Sequence, residues 1–102
     1  MNIDFVRALE IFMAVAEMRS MTAAARSLGV TQSAVSQQLH QLEAELGRPL
    51  LDRSVRPIAL TAAGLALQSR GALFLSHAAE VRTLVREVGS TAMPSLRIAV
   101  IG

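Results

Sequence analysis

Five polar side chains recur along the stretch TQSAVSQQLHQLEAELG, residues 31–47. They stand at i, i+1, i+4, i+5 and i+8, which is one face of an α-helix. The set consists of Gln32, Ser33, Ser36, Gln37 and His40. A Gln amide donates and accepts hydrogen bonds at once, as N6 and N7 of adenine require, and Ser can do either. A carboxylate here would be repelled by phosphates, and the set contains none. As a set it favours contact with base edges and phosphates over an ordinary solvated face.

The residues before this stretch predict two helices that would position it. An apolar stripe recurs at helical spacing over residues 4–18. A short helix then follows over about 22–28, with Ser20 or Thr22 as its N-cap. Gly29 is suited to end it, because glycine adopts the positive φ that helix C-termini require.

A third helix carries the polar face itself. Thr31 is its predicted N-cap, and it runs over about 32–46 and stops at Gly47. Its apolar side consists of Val35, Leu39, Leu42 and Leu46. A short helix, a glycine turn and a longer amphipathic helix predict a helix-turn-helix, and a generic helical hairpin fits the same pattern. Thr22 and Thr31 lie at helix N-termini, where free N–H groups bind phosphate, although simple capping explains both.

The character of the chain changes over residues 48–61, where two prolines break the helical pattern. The short runs LLDR and IALT predict a small hairpin, or wing. Arg53 and Arg56 flank its turn, with only Asp52 to offset their charge. We therefore expect both arginines to contact phosphate or a narrow minor groove, the alternative being a structural hairpin with solvated arginines.

From Thr61, a suitable N-cap, a helix of about 30 residues is predicted to extend to about residue 91. Apolar and small residues recur every seven positions along it, which forms a heptad seam. The seam positions that we assign to pairing with a second copy are Leu67, Gly71, Phe74, Ala78, Val81, Val85 and Val88. A helix this long cannot bury its stripe fully against so small a head. Dimerisation is thus the favoured interpretation, and packing within its own chain is the alternative.

Composition sets wider limits on the class of protein. The chain has 102 residues, 52% of them hydrophobic, and no cysteine, which excludes disulfides and thiolate zinc sites. No apolar run is long enough to span a bilayer, and the N-terminus lacks a signal-peptide pattern, so we expect a cytoplasmic protein. Residues 18–42 and 53–79 contain arginines and no acid, a basic zone suited to a polyanion.

Two segments carry a family resemblance: FMAVAEMRSMTAAARSLGVTQSAVSQQLHQLEAELGRPLLDR and LTAAG. They resemble the N-terminal DNA-binding region of LysR-type transcriptional regulators. Leu51, where the family usually has Phe, and Ala62, where Pro is common, are the departures.

The resemblance implies a mainly α fold with three parts. These are a winged helix-turn-helix of three helices and a two-stranded wing over residues 1–61, a dimerising linker helix over 62–92, and a hinge with the first strand of a truncated effector-binding domain over 93–102. The implied partners are pseudo-palindromic double-stranded DNA and a second copy of the chain, with dimers or tetramers at full length. No cofactor is expected in this fragment, because small-molecule sensing belongs to the C-terminal domain.

Rival functions fit the sequence less well. Catalysis is disfavoured because the chain offers few catalytic residue types. It has no Cys and no Lys, and its two histidines, His40 and His77, are far apart in the sequence. Ser36 lies one helical turn from His40, but a triad also needs an orienting acid and an oxyanion site. A winged helix used only for protein interaction or dimerisation would show no salt-dependent affinity for duplex DNA. The long heptad helix and the terminal strand argue against a winged-helix regulator of another family.

Overall fold

A computed structural model describes residues 4–88 of the chain, which form four helices and one two-stranded sheet. The helices are α1 Phe5–Met18, α2 Met21–Leu28, α3 Gln32–Leu46 and α4 Ala62–Val88. The strands are β1 Leu51–Asp52 and β2 Ala59–Leu60, which pair antiparallel with Leu51 opposite Leu60. The predicted mainly α fold with a two-stranded wing is confirmed. The predicted last turn of the long helix and the strand over 93–102 lie outside the described residues.

The chain divides into two compact units between Ala72 and Leu73, so that α4 contributes residues to both. Within residues 4–88, no helix is both long enough and apolar enough to cross a membrane.

Side-chain caps define where the first three helices begin. The Asp4 carboxylate accepts from the Arg7 N–H at 3.1 Å, and the Ser20 and Thr31 hydroxyls accept from Ala23 and Ala34 N–H groups at 3.0 Å each. Ser20 is therefore the cap of α2, and Thr22 lies inside its first turn. The left-handed residues that end these helices are Arg19, Gly29 and Gly47.

The core lies between α1, α2 and α3, and the wing completes it. The helices contribute Ala8, Leu9, Ile11, Phe12, Val15, Ala16, Ala24, Ala25, Val35, Leu39 and Leu42, and the wing region contributes Leu50, Leu51 and Ile58. Leu46 departs from the predicted apolar side of α3, because in the last turn of the helix it is 41% exposed.

The first turn of α4 is held against the chain segment that leads into the wing. The Thr61 hydroxyl accepts from the Gly64 N–H at 3.0 Å and donates to the Pro49 carbonyl at 2.7 Å. The Thr61 N–H donates to the Leu50 carbonyl at 3.0 Å. A Cβ atom added at Gly64 would overlap the Leu50 carbonyl oxygen, so only glycine permits this approach.

Gly71 packs inside its own chain, which corrects its assignment to the dimer interface. The residue is buried, and a Cβ atom there would lie 3.0 Å from Sδ of Met13 and 3.2 Å from Cδ1 of Leu9. The alternative of packing within the chain therefore holds at this position. The heptad spacing could not distinguish the two, because α1 of the same chain presents an apolar surface just as a second copy would.

We predict that Gly64→Ala lowers the free energy of unfolding by about 3 kcal/mol or more, because the new methyl group would displace the Leu50 backbone. Gly71→Ala is the matched control. Its methyl group meets only the ends of two flexible side chains, and alanine is favoured over glycine in a helix by about 1 kcal/mol. Urea unfolding followed by circular dichroism measures both, and equal losses for the two variants would contradict the explanation.

Candidate nucleic-acid interface

The exposed face of α3 follows from the burial of its other side. Val35, Leu39 and Leu42 are fully buried in the core. The predicted polar residues are thereby brought together on one outward face: Gln32, Ser33, Gln37 and His40 are exposed, and Ser36 is half-buried at its border. No carboxylate precedes position 43 on this helix. The face therefore presents hydrogen-bonding groups without negative charge.

The N-termini of α2 and α3 meet at this face. The Thr22 hydroxyl on α2 donates to the Gln32 side-chain oxygen at 3.0 Å. A hydroxyl has one hydrogen to donate, and phosphate oxygens only accept. In this structure that hydrogen is directed to Gln32, and the predicted phosphate contact of Thr22 stays a prediction. Thr31 is exposed and caps α3, as predicted.

His40 is held by the backbone of its own helix. Its Nδ1 atom lies 2.9 Å from the Ser36 carbonyl oxygen, which can only accept. In the neutral ring Nδ1 therefore carries the proton, and Nε2 is left as an acceptor toward solvent. The partner of His40 is the Ser36 carbonyl and not its hydroxyl, so this pair lacks the geometry of a nucleophile and its base. No group of three metal-ligating side chains occurs among residues 4–88.

A largely buried carboxylate joins α3 to the wing. Glu43, whose side chain is 12% exposed, accepts through Oε2 from the Leu50 N–H at 2.7 Å and the Leu51 N–H at 3.4 Å. Its Oε1 atom accepts from both terminal nitrogens of Arg53 at 3.4 Å. These donors replace the water molecules that the carboxylate loses on burial.

This geometry gives Arg53 a partner within the chain, and its expected contact with phosphate or a narrow minor groove stays a prediction. Its guanidinium is 33% exposed and forms an ion pair with Glu43. Arg53 therefore aligns the wing with α3. The spacing of the two wing arginines gave no sign of this, because Glu43 lies ten residues away on another element.

Arg56 remains the exposed cation of the wing. One of its terminal nitrogens donates to the Arg53 and Val55 carbonyl oxygens at 2.6 and 3.0 Å. Nearby, the Ser54 hydroxyl and N–H donate to Asp52 at 2.5 and 3.0 Å, and these bonds hold the pKa of Asp52 below its usual value. Asp52 is thus ionised at neutral pH, and the wing presents both signs of charge.

Arg19 belongs to the same surface, although the sequence gave no specific sign of it. It adopts φ 54° at the end of α1, and its guanidinium donates to the Ala16 carbonyl at 2.9 Å and the Ile58 carbonyl at 3.3 Å. A cavity of about 190 Å³ opens beside it, where α2, the start of α3 and the wing converge. Its lining residues are Arg19, Ser20, Met21, Thr22, Gln32, Arg56 and Ile58. In the sequence, the only indication of this surface was the absence of acidic residues over residues 18–42, which include Arg19.

Three helices, a wing and an outward polar face on α3 define a winged helix-turn-helix protein. The family model described as "Bacterial regulatory helix-turn-helix protein, lysR family" matches residues 6–65. The chain belongs to this family, as the sequence resemblance indicated.

Relatives of the chain are transcriptional regulators. The chain is 51% identical over 59 residues to the HTH-type transcriptional regulator BudR of Raoultella terrigena, a match that covers 58% of this chain and 20% of BudR. It is 40% identical over 97 residues to ShiR of Corynebacterium glutamicum (strain R), covering 95% of this chain and 33% of ShiR. The chain thus spans a third or less of the length of these relatives.

Solved structures of similar chains include DNA complexes. The structure of the CbnR_DBD-DNA complex is 41% identical with a TM-score of 0.78, and the match covers 86% of this chain and 100% of that one. The BenM_DBD/catB site 1 DNA complex is 34% identical with a TM-score of 0.79, covering 83% and 96% of the two chains. Both of those proteins are bound to DNA in these structures.

We predict that Glu43→Ala lowers the free energy of unfolding by about 2–3 kcal/mol, because it leaves the Leu50 and Leu51 N–H groups and Arg53 without their acceptor. Glu45→Ala is the control, since it removes an exposed acid from the same helix and should change stability by less than about 0.5 kcal/mol. Both values come from urea unfolding followed by circular dichroism. A Glu43 variant as stable as the Glu45 variant would show that the carboxylate does not hold the wing.

Proposed function

We propose that this chain binds double-stranded DNA sequence-specifically, with α3 in the major groove, as part of a dimeric transcriptional regulator. The observation that carries the proposal is the exposed, acid-free amide and hydroxyl face of α3, opposite three fully buried side chains. The major groove offers a distinct donor and acceptor pattern for each base pair, which such side chains can read. The DNA complexes formed by chains of 34% and 41% identity support DNA binding by this fold.

The polar face divides into base-reading and backbone-binding parts. Gln32, Ser36 and Gln37 are the side chains that we assign first to base edges, together with Ser33 beside them. Thr31 lies at the N-terminus of α3, where free N–H groups favour a phosphate. His40 presents Nε2 toward solvent and, when protonated, donates there to a phosphate or a water.

The wing supplies charge to the same surface. Arg56 is exposed and keeps donors beyond the one nitrogen that binds the wing carbonyls, so it is our candidate for phosphate or minor-groove contact. Arg53 contributes indirectly, through the Glu43 ion pair that positions the wing.

Pairing of two chains would present two recognition helices to a pseudo-palindromic site. Apolar residues of the heptad seam remain exposed along the second half of α4, namely Phe74 (46%), Val81 (52%), Val85 (65%) and Val88 (45%). Ala78 completes this row and is half-buried, as is Leu67 closer to the head. We assign these residues to the interface with a second copy.

The remaining features of the proposal come from the family. A small-molecule effector would bind a separate domain of the whole regulator, and the DNA-binding part needs no cofactor. The protein would act in the cytoplasm, where bacterial DNA lies. Its chemistry is recognition and not catalysis.

We predict different consequences for the two parts of the interface. Gln32→Ala should change the base preference at one position of the half-site, by about 1–3 kcal/mol of discrimination, because it removes a base contact. Arg56→Ala should weaken binding about equally on all duplexes and reduce the slope of log K against log salt by about 1, because it removes a phosphate contact. Selection from randomised duplexes, followed by salt titration of single sequences, measures both effects.

Arg53→Ala and Thr83→Glu serve as controls for this experiment. Arg53→Ala should lower stability as well as affinity, since it leaves Glu43 unpaired, whereas Thr83→Glu, far along α4, should alter neither base preference nor stability greatly. Equal loss on every sequence for both Gln32→Ala and Arg56→Ala would refute the division of roles. Absence of any salt-dependent duplex affinity would favour a protein-interaction module instead.

We predict that the double variant Val81→Glu/Val85→Glu is monomeric at concentrations where the unchanged chain is dimeric. Two charges would then lie on the exposed apolar row, where pairing would bury them without partners. Thr83→Glu adds charge on the opposite side of the helix and should leave the dimer intact. Sedimentation velocity distinguishes the two species, and a double variant that still dimerises would remove this row from the interface.

A further inference from the structure

A hydrogen bond between α2 and α3 fixes the side chain at the start of the recognition face. The Thr22 hydroxyl donates to Oε1 of Gln32 over 3.0 Å, and ten positions separate the two residues along the chain. Both side chains belong to exposed residues in the first turns of their helices. The bond therefore favours one placement of the Gln32 side chain before any ligand arrives.

The bond also decides which atom of the Gln32 amide faces outward. One of the two lone pairs of Oε1 accepts from Thr22, which turns the oxygen toward α2, while Nε2 carries two N–H donors. Within residues 4–88, neither of these N–H groups has a hydrogen-bond partner. Because oxygen and nitrogen are bonded to the same planar carbon, turning the oxygen toward α2 turns the nitrogen away from it. Gln32 is thus presented as a donor.

We propose that Thr22 is a positioning residue that sets the base preference of Gln32. The inference rests on the proposed function, since it concerns how the same α3 face reads duplex DNA. A Gln that uses both amide atoms pairs with N6 and N7 of adenine, which needs one donor and one acceptor. With Oε1 held by Thr22, the outward N–H groups suit an edge that only accepts, such as N7 and O6 of guanine or O4 of thymine.

The test compares two substitutions that differ in one hydroxyl group. Thr22→Val keeps the branched shape and removes the hydroxyl, whereas Thr22→Ser keeps the hydroxyl. Selection from randomised duplexes should show that Thr22→Val shifts the position read by Gln32 toward adenine by roughly 2- to 10-fold, the range expected for one hydrogen bond. Thr22→Ser should retain the original preference. The salt slope should stay the same in both, because no charge is lost.

A double variant separates positioning from direct contact. If Thr22 acts through Gln32, then Thr22→Val has no further effect on base preference once Gln32→Ala is present. If the hydroxyl instead binds phosphate, Thr22→Val weakens every duplex equally with or without Gln32, and that result overturns the proposal.

A measurement without DNA keeps the bond testable on its own. In the free 102-residue chain, Thr22→Val should shift the ¹⁵N-labelled side-chain amide resonances of Gln32, and Thr22→Ser should leave them close to their original positions. Unmoved resonances in Thr22→Val would show that the bond does not form and would overturn the proposal. A chain that retains no duplex at low salt would instead overturn the proposed function, and this inference with it, whatever the resonances show.

Discussion

The arrangement of the whole surface depends on the burial of one side of α3. Val35, Leu39 and Leu42 have no exposed area, and they pack among the apolar side chains of α1 and α2. Burying each such side chain contributes roughly 1.5–3 kcal/mol to stability. Rotating α3 about its axis would expose these side chains and so cost several times that amount, on the order of 5 kcal/mol or more. The polar side needs no attraction of its own to face outward. Its residue types are consequently free to serve recognition, which is why amides and hydroxyls can replace the acids and lysines of an ordinary solvated face.

Glu43 extends this constraint from the helix to the wing. A carboxylate at 12% exposure is stable only if its oxygens are satisfied, and the donors come from the backbone of Leu50 and Leu51 and from Arg53. The wing therefore cannot move relative to α3 without leaving that charge unpaired. Close approach of Gly64 to the Leu50 carbonyl restrains the same segment from its other side. Leu50 and Leu51 are thus bound by Glu43 of α3, and Leu50 is also restrained by Gly64 of α4.

Local signals in the sequence were sufficient for the elements, and less so for the partners of individual side chains. Caps and glycine stops at Thr31, Gly29 and Gly47 act within a few residues, so the predicted ends of α2 and α3 agree with the structure to about one residue. The exposed polar set on α3 was equally accessible, because helical periodicity alone places it. The ion pair between Arg53 and Glu43 was not, since the two residues lie on different elements ten positions apart. The bond from Thr22 to the Gln32 side-chain oxygen was not accessible either, because it joins two helices whose relative placement the local pattern does not give.

The heptad seam of α4 also shows that a sequence pattern does not identify the partner of a side chain, and here the partner determines how chains assemble. A seven-residue repeat predicts that a row of side chains is covered by another surface, but it does not predict whether that surface belongs to the same chain or to a second copy. At Gly71 the cover comes from Leu9 and Met13 of α1, whereas Val81, Val85 and Val88 further along the seam remain about half exposed or more. The small residues at the start of the row therefore suit a close approach within the chain, and the larger residues further along suit contact with another helix. If a second copy covers that remainder, it does not do so at Gly71, because Leu9 and Met13 of the same chain already cover the glycine.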